Sequence, residues 1–214
     1  VINYKPSKNL KAIQSRIRRL PELVNDAMDA QVKKDVISVI EEFQKGIAGN
    51  GFDLEPLNEQ TVRIKQEAGQ PKPSTPLYGE GESQKNSLIN ALAIRKIKNG
   101  YRLYRRRAKH YKADLPLNVL LAIHEYGALI PVTEKMRSFL HYIGIHLSPN
   151  TKIVRIPPRP VVDKAIIKAL KKKRRNENVK KVKQAINKLI KTGDDSLFKK
   201  ITAFSEKENK YNET

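Results

Sequence analysis

Residues 123–160 read IHEYGALIPVTEKMRSFLHYIGIHLSPNTKIVRIPPRP. This stretch carries the densest turn and strand punctuation in the chain and closes on Ile156-Pro157-Pro158-Arg159-Pro160. Proline fixes φ and lacks an amide donor. Three prolines in four residues therefore force an extended, exposed path that fits neither mid-helix nor mid-sheet. Leu117 to Tyr126 reads as a short helix with Gly127 as its stop. A second helix, Glu134 to Ile143, is stopped by Gly144. Thr133 suits its cap, because the hydroxyl can accept an orphan amide hydrogen. Thr151 to Ile156 reads as the last core strand, with Ile153 and its alternate neighbours facing inward.

Upstream, the chain reads as helices and a sheet built against this stretch. Leu10, Ile13, Ile17 and Leu20 recur at helical spacing. Pro21 then stops that helix or opens the next, proline being favoured at the first helical position. Leu23, Val24, Ala27, Met28, Val32, Val36, Ile40, Phe43 and Ile47 continue with a second stripe to Gly49. A helix of that length packs against a sheet or a neighbouring subunit, or is an ordinary core helix. Residues 1–50 thus form an N-terminal helical segment. Glu59 to Glu67 fits a short helix, and residues 68–83 read as a long exposed loop rich in proline and glycine. Residues 91–98 and 101–107 flank Asn99-Gly100, the strongest short-range hairpin signal, and are expected to pair. Together, residues 51–174 make an α+β core: a small antiparallel sheet packed by amphipathic helices.

Downstream lies a basic helical extension and tail, residues 175–214. Lys171-Lys172-Lys173-Arg174-Arg175 precedes a stripe of Val179, Val182, Ile186, Leu189 and Ile190 with lysines on the opposite face. Gly193-Asp194-Asp195 breaks the helix, Leu197, Ile201 and Phe204 allow one more turn or two, and the final SEKENKYNET is polar and expected to be disordered.

Forty-three Lys and Arg against 22 Asp and Glu give a formal charge of +21. Such an imbalance speaks to partners, with acidic proteins, nucleic acid and anionic membranes all compatible, and not to fold. Absent cysteine excludes disulfides and thiolate metal sites. No apolar run approaches the ~18 residues of a membrane span, and no N-terminal signal segment is visible.

Catalytic patterning is missing. His110, His124, His141 and His146 show no ligand spacing. His124-Glu125 begins like a metalloprotease motif, but Ala128 stands where the second histidine belongs. His141 and His146, five apart across a glycine, make poor geometry for a helical pair. No phosphate loop, nucleophile elbow or spaced carboxylate pair is present. The reading is of a protein that is not an enzyme and needs no cofactor or metal. Arg105-Arg106-Arg107, beside Tyr104, Lys109, His110 and Tyr111, has the cation–aromatic mix that grips single-stranded nucleic acid. It also has the look of the solvated end of a hairpin. The 171–175 run is equally a phosphate-binding segment or the polar face of a helix whose stripe docks on a partner.

Five segments occur in order: PLYGEGE at Pro76–Glu82, SLINAL at Ser87–Leu92, HEYG at His124–Gly127, VTEKMRSFL at Val132–Leu140 and IPPRP at Ile156–Pro160. In this order the chain, from about Asp53 to Leu170, resembles the virion-morphogenesis, tail-completion or neck proteins of tailed bacteriophages, the group that includes those of Mu-like phages. It departs from that pattern at Val161, where an aromatic is usual, at the Gly79-Glu80-Gly81 loop, and in the basic tail. The resemblance implies an α+β structural protein of the virion neck or tail, assembled in the host cytoplasm. Its copies would form a ring, commonly a hexamer, that completes the tail and joins it to the head connector. Implied partners are copies of itself, a portal-side connector protein, tail tube or sheath proteins, and DNA passing through the channel, with no membrane. The candidate interface residues are Arg105, Arg106, Arg107, His124, Tyr126, Arg159, Lys171, Lys172, Lys173, Arg174 and Arg175. A basic nucleic-acid-binding module is the alternative.

Overall fold

The computed structural model describes residues 8–49, 51–77, 85–98, 100–111, 115–142 and 144–206. It is α+β, as the sequence implies. Its elements are helices α1 (Lys8–Ala48) and α2 (Glu59–Glu67), a 3-10 turn at Leu88–Asn90, strands β1 (Leu92–Ile97) and β2 (Gly100–Arg105), and helix α3 (Leu117–Tyr126). Strand β3 (Ala128–Pro131), helix α4 (Glu134–Tyr142), strand β4 (Ile153–Ile156) and helices α5 (Val161–Ala169), α6 (Lys172–Thr192) and α7 (Ser196–Glu206) follow. The strands divide into two separate antiparallel ladders, β1–β2 and β3–β4.

The chain folds as two compact units: Val1–Ser38, Ile94–Arg102 and Ala169–Thr214 in one, Val39–Ala93 and Leu103–Lys168 in the other. In the first, Ala27 of α1 shares a core with Val182, Ala185 and Leu189 of α6 and Phe198 of α7. Val182, Ile186 and Leu189 of the stripe read as a docking face are thus packed inside the chain, while Val179 and Ile190 stay 47% and 42% exposed. Leu20, Leu23, Val24 and Ile201 border the same core. Arg16 donates to the Ile190 carbonyl at 3.3 Å, and Arg19 pairs with Asp195 at 3.3 Å. Helix α7 runs 11 residues, longer than the expected turn or two. Residues 207–214 of the polar tail lie outside the described residues.

Pro21 neither stops nor starts a helix: α1 runs through it unbroken. An internal proline costs ~3 kcal/mol, because its ring crowds the preceding turn and its missing amide leaves one carbonyl unbonded. Leu20 on one side of it and Leu23, Val24 and Ala27 on the other pack into one core, which holds the axis across the defect. The early stripe is largely outside: Leu10, Ile13 and Ile17 are 39%, 40% and 53% exposed.

In the second unit, Phe43, Ile47, Phe52, Leu88, Ile89, Leu117, Leu121 and Val161 are buried. Gly46 is where it is because Phe52 lies on it: a Cβ there would sit 2.0 Å from the ring. The loop expected to be exposed is pinned where described. Pro76 is fully buried, and Lys65 and Lys72 donate to the Thr75 and Ala48 carbonyls at 2.8 Å each. Its residues 78–83 lie outside the described residues.

The β3–β4 ladder pairs Ala128 with Ile156, Leu129 with Arg155, Ile130 with Val154 and Pro131 with Ile153. Strand β3 is not expected from the sequence, and the facing of β4 is the reverse of that expected. Ile153 is 55% exposed, while Val154 and Ile156 are half-buried. Side chains alternate along a strand, so a register set one residue away turns every one to the other face.

Candidate partner interface at the α3 corner

Helix α3 buries Leu117, Leu121 and Glu125, one residue per turn along a single face. The first two are apolar anchors. Glu125, only 4% exposed, acts differently. Its carboxylate accepts from the backbone amides of Val162 at 3.0 Å and Asp163 at 3.4 Å. The first amides of α5 have no partner within their own helix, and the positive end of its dipole favours a carboxylate there. Glu125 thereby ties HEYG to the segment that follows IPPRP.

Gly127 ends α3 with φ +76, and a Cβ there would lie 2.7 Å from the Ile156 carbonyl oxygen and 3.1 Å from the Pro158 nitrogen. Glycine lets the two backbones close, and the close approach sets Ala128 opposite Ile156. The Arg159 amide donates to the His124 carbonyl at 2.6 Å. His124 is pulled down to about 4, first by burial of its ring and then by the nearby Arg159 charge, so it is neutral at pH 7. His124 Nδ1 and Arg159 Nε are buried without hydrogen-bond partners.

The opposite face of α3 opens on a cleft of about 620 Å3 bounded by Arg105 and Arg107. Asn118, Val119, Ala122 and Tyr126 form its helical wall. Arg105 stacks over the Tyr126 ring, its guanidinium carbon 5.3 Å from the centroid, and donates to the phenol oxygen at 3.2 Å. Tyr126 nonetheless remains 70% exposed.

The three-arginine run is therefore sorted by the backbone. Arg105 and Arg107 border the cleft. Arg106 is instead structural: it donates to the Lys85 and Asn90 carbonyls at 2.8 and 3.2 Å. Lys171 is exposed at the start of α6, in the other unit, and the side chains of Lys172, Lys173, Arg174 and Arg175 lie outside the described residues.

Sequence reasoning missed two organising side chains. Glu125 had a signal: a charge at the third position of the Leu117, Leu121 stripe announces a buried partner. Arg137 had none. It donates to the carbonyls of Ser148 and Thr151 at 2.8 Å and of Leu147 and Pro149 at 3.4 Å, gathering the 147–151 loop around one guanidinium. His141 and His146 are not a helical pair, in line with their spacing, but their rings still meet edge to face at 4.6 Å. The helix ends between them, and Gly144 at φ +81 folds the chain back. Thr133 caps α4 as expected, accepting from Met136 at 3.2 Å.

Beside this corner, the outer face of the β3–β4 ladder carries Leu129, 67% exposed, and Ile153. Helix α4 buries no residue and presents Phe139 and Tyr142, 60% and 87% exposed. Among the described residues, no three acidic or histidine side chains come close enough to hold a metal, and no helix is long and apolar enough to cross a membrane. Compared with protein-family models, curated proteins and solved structures, the chain matches none of them.

Proposed function

We propose that this chain is a structural protein of a tailed-bacteriophage neck, a subunit of a ring that completes the tail and joins it to the head connector. The observation that carries the reading is the Glu125 cap. Of the segments that carry the resemblance, HEYG and IPPRP meet at one joint through Glu125, Gly127 and the Arg159 amide. VTEKMRSFL supplies Thr133 and Arg137, which fix α4 and the loop leading to β4. Residues committed to architecture in this way suit a protein that works through its shape.

The exposed apolar side chains Leu129 of β3, Ile153 of β4 and Phe139 and Tyr142 of α4 support the same reading, since each is surface that a partner can bury. A subunit in a closed ring covers such a face with the next copy.

Native mass spectrometry of the purified full chain tests the proposal, together with mass spectrometry of particles from a lysogen carrying its gene. The expected result is a closed ring of copies and the chain present in tailed particles. A chain that stays monomeric at high micromolar concentration and is absent from particles overturns it.

A further inference from the structure

We infer that the α3 cleft is a binding site for an unpaired nucleic-acid strand, in which Tyr126 takes a base and Arg105 and Arg107 take the flanking phosphates. This stands on the cleft alone and does not depend on ring formation.

The chemistry of the walls selects the ligand. Two guanidiniums stand on one side, and among the described residues lining the cleft none carries a carboxylate to neutralise them. The acid of α3 itself, Glu125, is buried on the opposite face of the helix and committed to the α5 amides. A guanidinium is a planar, permanently charged fork suited to phosphate oxygens. The anion is thus called for by uncompensated charge at a concave site rather than by overall basicity.

The second component is the platform. Arg105 holds the Tyr126 ring by stacking on it and bonding its hydroxyl, so the ring is fixed before a ligand arrives. Tyr126 is still 70% exposed as a residue, and the ring face away from Arg105 offers surface on which a base can stack. In a duplex the base faces are already stacked on one another, which excludes them from this platform. Asn118 adds a buried amide oxygen without a hydrogen-bond partner, some 12 Å along the helix from Tyr126 by the rise of an α-helix. That oxygen is an acceptor suited to the N–H edge of a base. Val119 and Ala122 make the stretch of that helical wall between the two apolar.

The test is fluorescence anisotropy of the full chain with a labelled 20-nucleotide thymidine strand, at several salt concentrations. The comparison variants are Tyr126→Leu, Tyr126→Phe, Arg105→Gln with Arg107→Gln, and Lys180→Gln with Lys183→Gln. The last pair removes equal charge from exposed positions on α6. Tyr126→Leu is expected to weaken binding about tenfold, and Tyr126→Phe to retain most of it. The arginine pair should weaken it further and flatten the log–log salt slope by about 1.4, two phosphates at ~0.7 each. The α6 pair should change binding less than twofold. Three results overturn the assignment. One is unchanged binding by Tyr126→Leu, and another is equal losses from the α6 pair. The third is a 20-base-pair duplex or free thymidine monophosphate competing as well as the strand. Because Tyr126 is exposed, its replacement leaves the fold intact, which circular dichroism of each variant checks.

Discussion

The carboxylate of Glu125 closes the start of α5, its Oε2 3.0 Å from the amide of Val162. One side chain thus performs two jobs. It satisfies amides that α5 cannot satisfy itself, and it fastens α3 to the element that follows the proline segment.

Removing that carboxylate strands two donors in a buried place. Glu125→Ala is expected to cost about 2 kcal/mol, the penalty for buried polar groups left unpaired. Glu125→Gln keeps an acceptor and loses only the charge at the helix start, so about 1 kcal/mol is expected. Urea unfolding midpoints measure both. An Ala variant as stable as the parent would show that the cap contributes nothing to the fold.

The depressed His124 makes stability depend on acid. Its folded value of about 4 lies below the ordinary 6.5, so between those limits the unfolded chain binds more protons than the folded one. Stability therefore rises with pH through that window. The contribution is complete above pH 6.5 and is lost as pH falls towards 4, with a full swing of roughly 3 kcal/mol. Imidazole NMR should find His124 still neutral at pH 5.5. Thermal unfolding of His124→Gln should show a shallower pH dependence between 6.5 and 4.5 than the parent.

Gly127 carries the register of the β3–β4 ladder. Its φ of +76 is strained for any L side chain, and a Cβ would lie 2.7 Å from the Ile156 oxygen, a backbone atom that cannot swing away. Gly127→Ala is expected to cost at least ~2 kcal/mol, conformational strain plus the displacement of β4. Hydrogen exchange should show lost protection at Ile130 and Val132. Protection equal to the parent would mean the ladder is held elsewhere.

Local chemistry is legible in the sequence and distant pairing is not. The limits of α3 and α4 follow from Gly127, Thr133 and Gly144, whose effects act within a few residues. Strand β3 hides in a four-residue run ending in Pro131, and its partner lies some 25 residues on. Nothing in the run itself announces it. The facing of Ile153 escapes for the same reason, because its register is set by a contact between Gly127 and Ile156. Pro21 obeys a local rule that the packing of Leu20, Leu23 and Val24 overrides. In the candidate site, the charge of Arg105-Arg106-Arg107 is plain from the sequence. Which of the three turn to the cleft is not, since that depends on where the Lys85 and Asn90 carbonyls fall.

Arg137 gathers four carbonyls from a stretch with no regular structure of its own, and only a guanidinium has the fork to reach them together. Arg137→Ala frees those carbonyls to water, since this loop is largely exposed. The expected loss is therefore moderate, about 1–2 kcal/mol, and it falls on the loop rather than the whole chain. Arg137→Lys should recover less than half, because a single ammonium is a compact point charge. Hydrogen exchange followed by mass spectrometry locates the effect: residues 145–152 should exchange faster in the Ala variant, and Val132, whose amide bonds to the Lys152 carbonyl at 2.8 Å, should follow. If Lys matches Arg in this loop, charge alone holds it and the fork geometry is incidental.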